Sequence, residues 1–323
     1  MAAGYIHKNA LTFSMIMFGH TAISSLFNFY YVKLFFKIYG ISEEWFQIVQ
    51  LLYLIWNAVN DPLFAYLQDN SQLQVFRNRK SAIKYGAPLY ILSFLLPWFP
   101  WGNYNTHKWL AGLHLLVSMS CYDAALTFVL LAYCALYVEI SPEHEDRIRL
   151  TKYSQIAGMF GSCSVMMAEF LCDGLDDLPA FQTYVVFVAL LSWATMHYTG
   201  KNVTTVSDDA KPSNSLPNHN NTKEQPSLDV SIASTFSQFK QIVKGRNFIL
   251  FVATNFLQTF HTFYIANFLS IFVDELIPLS SMPAMFRKLL YGGTNIMVPV
   301  SFQKYYTKWH LVMNAEVLIQ CYK

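Results

Sequence analysis

Repeated apolar stretches constrain this chain more than any other feature. A helix needs about 20 apolar residues to cross the hydrocarbon layer of a membrane, and six stretches in the first 200 residues meet that length. They lie at roughly 10–36, 45–67, 83–101, 108–139, 150–172 and 179–198. Gly158, Gly161, Ser162 and Ser164 give the fifth stretch a small-residue face, which favours close helix packing. The sequence therefore predicts an all-α, multi-pass transmembrane helical bundle.

Composition argues against a soluble protein. Hydrophobic residues make up 54% of the chain and charged residues 13%, against roughly 25% charged in an ordinary soluble domain. The net charge is +2 and the basic residues are spread over interhelical loops, so no nucleic-acid partner is expected. Five cysteines show neither a disulfide framework nor a metal spacing. No cofactor and no metal are predicted, and no nucleophile with its base marks an enzyme.

The distribution of Lys and Arg predicts the orientation in the membrane. Basic residues concentrate in loops on the cytosolic side of membrane proteins. Here they follow the second, fourth and sixth stretches, whereas residues 38–44 and 102–107 contain none. We therefore expect a cytosolic N-terminus, and the sequence leaves open whether the membrane is the plasma membrane or an internal one.

Three parts follow one another along the chain. Residues 1–198 predict an N-terminal six-helix bundle. Residues 199–245 are rich in Ser, Asn, Pro and Lys and predict a disordered cytoplasmic linker. Residues 246–323 predict a partial C-terminal bundle of about two and a half spans, so the second bundle looks truncated. This order is expected of a carrier built from two repeated bundles, with its site near the bilayer midplane.

An acid inside the second stretch is the main functional signal. Asp61 lies within Trp56-Asn57-Ala58-Val59-Asn60-Asp61-Pro62, and an acid in apolar surroundings is costly and usually functional. Asp123 and His20 fall near the same depth at about 1.5 Å per residue. The predicted solute or ion pathway comprises Asp61, Asp123, Asn57, Asn60, Trp56 and His20. The alternative is structural: each acid caps or pairs with a neighbour, and His20 bonds a facing helix.

Charged residues at the cytosolic helix ends form a second candidate site. Asp69 ends the second stretch, Arg79 and Lys80 lie in the loop beyond it, and Arg147 lies between the fourth and fifth stretches. Charge pairs among them would hold one conformation of a carrier closed at its cytoplasmic gate. The alternative is that these residues only set the topology.

Several motifs resemble the major facilitator superfamily. Asn60-Asp61-Pro62-Leu63-Phe64, Arg79-Lys80 and Gly86-Ala87-Pro88 resemble its second-helix and loop signature. The Asn-Asp-Pro start, Tyr122-Asp123 and Asp146-Arg147-Ile148-Arg149-Leu150 are similar to the branch of glycoside, pentoside and hexuronide carriers, which are sugar:cation symporters. Leu54-Ile55-Trp56-Asn57, Phe260-His261 and Asn267-Phe268 look closest to the animal group called transmembrane protein 180.

The resemblance implies a carrier of a small, sugar-like polar solute. That branch has an acid where this chain has Asn57, an acid near His20, and an arginine where this chain has Gln155, which adds Gln155 to the expected pathway. Since a sodium site needs several oxygens with net negative charge, the loss of these charges disfavours sodium coupling. Proton coupling through Asp61 or Asp123 and uncoupled facilitation both stay open.

We therefore expect a monomeric membrane transporter whose partners are the lipid bilayer, a small polar solute and, in the coupled alternative, a proton. The second hypothesis is a non-transporting scaffold or receptor that kept the fold and lost the coupling charges. Stabilisation by a solute would favour the transporter. A protein captured through residues 199–245 would favour the scaffold.

Overall fold

The computed structural model describes most of the first two hundred residues. The described residues are 2–70, 76, 78–104, 106, 108–140 and 144–205, together with 245–246, 248–250, 252–257, 259–261 and 286. The predictions for residues 206–244 and for the spans beyond residue 261 lie outside them. The predicted division into two bundles and a linker therefore stays a prediction.

Six long helices lie within residues 2–202 of the described part. They are α1 (Ala2–Lys33, followed by a π-helical turn at Leu34–Ile38), α2 (Glu43–Asn70), α3 (Arg79–Leu95, followed by a 3-10 turn at Leu96–Trp98), α4 (Lys108–Ile140), α5 (His144–Cys172) and α6 (Leu178–Asn202). Each helix overlaps one of the six predicted stretches, and the described residues contain no strand. The all-α class is confirmed.

Among the described residues, four helices are long and apolar enough to cross a membrane. They comprise Lys8–Ile38, Trp109–Ile140, Glu145–Cys172 and Leu178–Asn202. The other two helices are less apolar or shorter: α2 carries Asn57, Asn60 and Asp61 in its middle, and α3 has only 17 residues before its 3-10 turn. Because α2 packs on α4 and α3 packs on α4 and α6, all six belong to one bundle.

Side-chain caps explain where α3 and α6 begin. The first N–H groups of a helix lack intrahelical partners, so a preceding Asn or Asp side chain stabilises the start. The Asn78 side chain accepts from the N–H groups of Lys80 and Ser81 at 3.1 and 3.4 Å. The Asp177 side chain accepts from the Ala180 N–H at 3.1 Å. These caps fix both helix starts at loop residues that the sequence places outside the apolar stretches.

Helix α1 lies between α5 and α6, while α3 lies between α4 and α6. Large side chains from several helices fill the space between them. The largest of these with less than 2% exposure include Phe13, Tyr30, Tyr90, Phe94, Trp98 and Phe181. Most of these rings meet edge to face, which aromatic pairs prefer; Tyr30 and Phe181, for example, have centroids 4.8 Å apart.

The contact between α1 and α5 is the tightest crossing in the described bundle. A Cβ atom added to Gly161 would lie 2.5 Å from the Phe18 carbonyl oxygen and closer still to Thr21 Oγ1. Thr21 donates to the Gly158 carbonyl at 3.1 Å, and Ser164 donates across the contact to a carbonyl of α1 at 2.8 Å. Small residues therefore let the two backbones touch, as the sequence pattern of α5 predicts.

The start of α1 is tied to the end of α6. The Asn9 amide donates to the Thr204 carbonyl at 2.7 Å, and its oxygen accepts from the Thr204 N–H at 3.1 Å. One turn further in, the Thr199 hydroxyl donates to the Thr12 carbonyl at 2.7 Å. These bonds fix the two helix ends at the same face of the bundle.

Candidate functional site

Asp123 is a buried acid between α2 and α4. Its side chain is 7% exposed and accepts two hydrogen bonds from α2. The Tyr53 hydroxyl donates to Oδ1 at 3.2 Å, and the Asn60 amide donates to Oδ2 at 3.0 Å. Tyr53 and Asn60 are seven residues apart, so they share one face of α2 two turns apart. Donors from the facing helix therefore hold both carboxylate oxygens.

Asp61 joins this group through Thr127. The Thr127 hydroxyl donates to Asp61 Oδ1 at 2.9 Å and accepts from the Asn60 amide at 2.9 Å. One amide and one hydroxyl thus link the two acids. We call these five side chains the carboxylate cluster: Tyr53, Asn60, Asp61, Asp123 and Thr127. The two acids predicted from separate stretches lie in one hydrogen-bonded group.

Asn60 is the centre of the carboxylate cluster and its least satisfied member. The residue is fully buried, and its amide nitrogen donates to both Asp123 and Thr127. Its Oδ1 has no donor within hydrogen-bond distance among the described residues. A buried polar atom without a partner costs about 1–3 kcal/mol. The opposite amide orientation would set Oδ1 against the acceptor oxygen of a charged Asp123, so the bonds from the amide nitrogen to Asp123 and Thr127 fix the present one.

The two acids differ in exposure. Asp61 is exposed on the open side of α2 within the described bundle, whereas Asp123 is buried behind it. The described residues contain no group of three His, Cys, Asp or Glu side chains placed to hold a metal ion. The carboxylate, amide and hydroxyl oxygens of the cluster instead offer acceptors for a hydroxyl-bearing solute or a proton.

Three other predicted pathway residues lie outside the carboxylate cluster, two on α2 and one on α5. Asn57 and Trp56 are half-buried on α2, about one turn before Asp61. The Trp56 indole nitrogen is buried without a hydrogen-bond partner among the described residues. Gln155 is half-buried on α5, the helix that packs mainly against α1. The structure thus groups Asn60 with the two acids and places Gln155 on a different helix pair.

His20 belongs to a separate polar chain. Its Nδ1 lies 3.0 Å from the hydroxyl of Tyr90 on α3, which lies 3.1 Å from the hydroxyl of Tyr122 on α4. Tyr122 precedes Asp123, and its ring stacks on Phe27 at a centroid distance of 4.0 Å. His20 therefore has a bond to a facing helix, as the structural alternative for this residue predicts. Tyr90 links His20 to Tyr122, the residue beside Asp123.

Arg79 makes the charge contact that the structure shows at the predicted gate. Its Nη1 donates to the Gln68 side-chain oxygen at 3.2 Å, and its Nε lies 4.0 Å from Glu139 Oε1. Glu139 is on α4 and was not among the predicted gate residues. Arg79 thus connects the start of α3 to the ends of α2 and α4.

The remaining gate residues are placed less fully. Lys80 lies in the first turn of α3, where its N–H bonds the Asn78 cap. The carbonyl of Arg147 accepts from the Thr151 hydroxyl at 2.9 Å within α5. The side chain of Asp69 lies outside the described residues. The cytoplasmic gate therefore stays a prediction.

Two members of the carboxylate cluster were missed by sequence reasoning. Tyr53 and Thr127 are common residue types in apolar helices, and neither belongs to the motif around Asp61. Their spacing carries a signal: Tyr53 is seven residues before Asn60, and Thr127 is four residues after Asp123. Polar residues at these spacings share one helix face, so a search along the faces of both acids would have found them.

The long apolar helices and the polar cluster between two of them are typical of multi-pass membrane proteins with a polar site inside the helical bundle. The chain belongs to the family described as MFS/sugar transport protein, whose model matches residues 12–303. This confirms the resemblance to the major facilitator superfamily and makes the chain an integral membrane protein of a transporter family.

Relatives agree with this assignment. The chain is similar to transmembrane protein 180 of Mus musculus, with 27% identity over 288 residues that cover 83% of this chain and 54% of that protein. Transmembrane protein 180 of Gallus gallus is 27% identical over 271 residues, 79% of this chain and 52% of that protein. An uncharacterized symporter of Synechocystis sp. is 23% identical over 195 residues, 57% of this chain and 36% of that protein. The chain thus spans about half the length of the two animal relatives.

Proposed function

We propose that this chain acts in the transport of a small, polyhydroxylated organic solute and that the carboxylate cluster is its solute and proton site. The observation that carries the proposal is the hydrogen-bonded link Asp61–Thr127–Asn60–Asp123 between two helices of an apolar bundle. The family's description as sugar transport proteins supports the solute class.

The cost of the carboxylate cluster supports a functional role. Acids in membrane helices are expensive and persist mainly where they face a pathway or a partner. A merely structural contact between α2 and α4 would need only one satisfied polar pair. This cluster instead retains two acids and a buried acceptor, Asn60 Oδ1, to which no described residue donates. A solute hydroxyl or a proton-bearing group would supply that donor.

Asn60 gives the carboxylate cluster a way to respond to a proton. Protonation turns one oxygen of Asp123 from an acceptor into a donor. The Asn60 amide carries both an acceptor and a donor, so rotation of the amide would let Oδ1 accept from protonated Asp123. The same rotation would withdraw the donor from Thr127 and so loosen the link to Asp61. Proton binding and the contact between α2 and α4 are thereby coupled in this proposal.

The test is proton-coupled uptake by the whole chain in proteoliposomes that contain the pH indicator pyranine. Neutral monosaccharides and disaccharides are added outside one at a time. We expect at least one to acidify the lumen, and Asp61→Asn to abolish this signal because the amide cannot take up a proton. Asp176→Asn, which removes an exposed acid from the α5–α6 loop, is the matched control.

Each outcome bears on a distinct part of the proposal. Unchanged acidification and unchanged pH dependence in Asp61→Asn would remove Asp61 from the mechanism. Sugar entry without acidification would replace proton coupling by facilitation. Failure of every sugar to enter or to raise the thermal unfolding temperature would reject the solute class and favour the scaffold hypothesis.

A further inference from the structure

A groove between α1 and α6 lies apart from the carboxylate cluster. It has a volume of about 320 Å³, within the range of about 300–1,000 Å³ that small-molecule sites show. Its lining residues are Lys8, Leu11, Thr12 and Met15 from α1 and Ala194, Thr195 and Tyr198 from α6. The groove therefore runs along two helices and has a cation at one end.

The groove opens where the two helices separate from a close crossing. A Cβ atom added to Gly19 would lie 2.6 Å from Thr195 Oγ1 and 3.0 Å from the Ser192 carbonyl oxygen. From that crossing toward the start of α1, the walls are formed mainly by carbon. Leu11 and Tyr198 are 50% and 47% exposed at the rim. The shape suits an extended apolar chain that lies between two membrane helices.

The open end of the groove is basic. Lys8 and Lys201 are both exposed, and the Asn9–Thr204 bonds fix the start of α1 beside the end of α6. Ala194, Tyr198 and Lys201 recur at helical spacing, so Lys201 continues the α6 wall of the groove. Neither Ala2–Lys33 nor Leu178–Asn202 contains an Asp or Glu. Neither wall therefore carries a carboxylate that would repel an anionic group bound at this end.

We propose that the α1–α6 groove binds an anionic phospholipid, with one acyl chain between the helices and the phosphate beside Lys8 and Lys201. Basic pockets between helices at the negatively charged membrane surface select anionic headgroups. The apolar walls take the acyl chain, which free phosphate cannot replace. The site does not depend on the proposed transport function, since it shares no residue with the carboxylate cluster.

Binding is measured by native mass spectrometry of the whole purified chain, titrated with palmitoyl-oleoyl phosphatidylglycerol or with the phosphatidylcholine of the same chains. We expect the anionic lipid to be retained preferentially. Lys8→Gln with Lys201→Gln should weaken phosphatidylglycerol binding about 25-fold, because each basic residue near a phosphate is worth a factor of about five. Lys37→Gln with Lys152→Gln removes two exposed cations elsewhere and should change it less than twofold.

A second variant tests the apolar part of the groove without altering charge. Ala194→Phe fills the groove from an exposed position and should also weaken phosphatidylglycerol binding, whereas Leu92→Phe, at an exposed position on α3 outside the groove lining, should not. Equal retention of the two lipids, or an unchanged preference in the double lysine variant, would overturn the proposal. Thermal stabilisation by inorganic phosphate alone would overturn the proposal that the ligand is a lipid and would indicate a free anion instead.

Discussion

Two helix contacts in this bundle are built by opposite means. Between α1 and α5, glycines let one backbone touch the other, and the polar bonds at this crossing end on main-chain carbonyls, while the Tyr30–Glu169 side-chain bond of 2.6 Å lies further along the two helices. Between α2 and α4, the backbones are held together through acid, amide and hydroxyl side chains. The first contact has one geometry that fits. The second can exchange donors and acceptors, so it is the contact that a proton or a solute can alter.

The largest expected effect breaks the tight contact. Gly161→Leu places a branched side chain against the Phe18 carbonyl and Thr21, where backbone cannot yield. Overpacking costs about 1–3 kcal/mol and occasionally more, and we expect at least about 3 kcal/mol of unfolding free energy in an SDS titration. Gly158→Ala is the control, since its Cβ would lie 3.5 Å from Thr21, an ordinary contact. Equal stability of the two variants would show that the contact is adjustable after all.

An intermediate effect is expected at the centre of the polar contact. Asn60→Leu deprives Asp123 and Thr127 of their shared donor, at about 1–3 kcal/mol for such a loss, and it also removes the unpartnered Oδ1. We expect a net loss of about 1–2 kcal/mol in the same titration, together with loss of sugar-dependent acidification. Asn57→Leu, on the same helix and half-buried, should stay within about 0.5 kcal/mol. A stable and active Asn60→Leu would leave the cluster without a role.

The smallest effect is expected when the hydrogen-bonded link between Asp61 and Asp123 is broken at Thr127. Thr127→Val keeps the shape and removes two hydrogen bonds of the hydroxyl. Water can replace the bond to the exposed Asp61, and the loss of the bond from buried Asn60 costs about 0.5–1.5 kcal/mol. We expect this modest loss of stability and a shifted pH profile of uptake, because the hydrogen-bonded link between the two acids is broken. Thr183→Val, whose hydroxyl bonds only within α6, should shift neither. An unchanged pH profile in Thr127→Val would mean that the acids act independently.

Sequence reasoning located the helices well because apolar runs follow directly from the thickness of the hydrocarbon layer. All six predicted stretches coincide with helices, and the small-residue face around Gly161 lies where two backbones touch. The third stretch was predicted to reach residue 101, whereas α3 ends at Leu95 and gives way to a 3-10 turn. Pro97 lies in that turn, where its missing N–H and fixed φ favour departure from the α-helix.

The same reasoning was weaker for the candidate site. Depth along the helix predicted that Asp61 and Asp123 share one layer of the bundle, but depth does not say which side of a helix faces its neighbour. The residue that joins the acids is Asn60, although Asn57 shares a helical face with Asp61 by spacing. The Arg79–Glu139 contact was likewise hidden, since Glu139 and Arg79 belong to stretches whose adjacency only packing reveals.

The bonds between Asn9 and Thr204 carry a consequence for topology. They bring the entry to the first helix and the exit from the sixth to one spot. A reporter fused ahead of residue 9 and another inserted after residue 205 must therefore sit in the same compartment, whichever compartment that is. The two hydrogen bonds between Asn9 and Thr204 therefore require an even number of membrane crossings between these two residues.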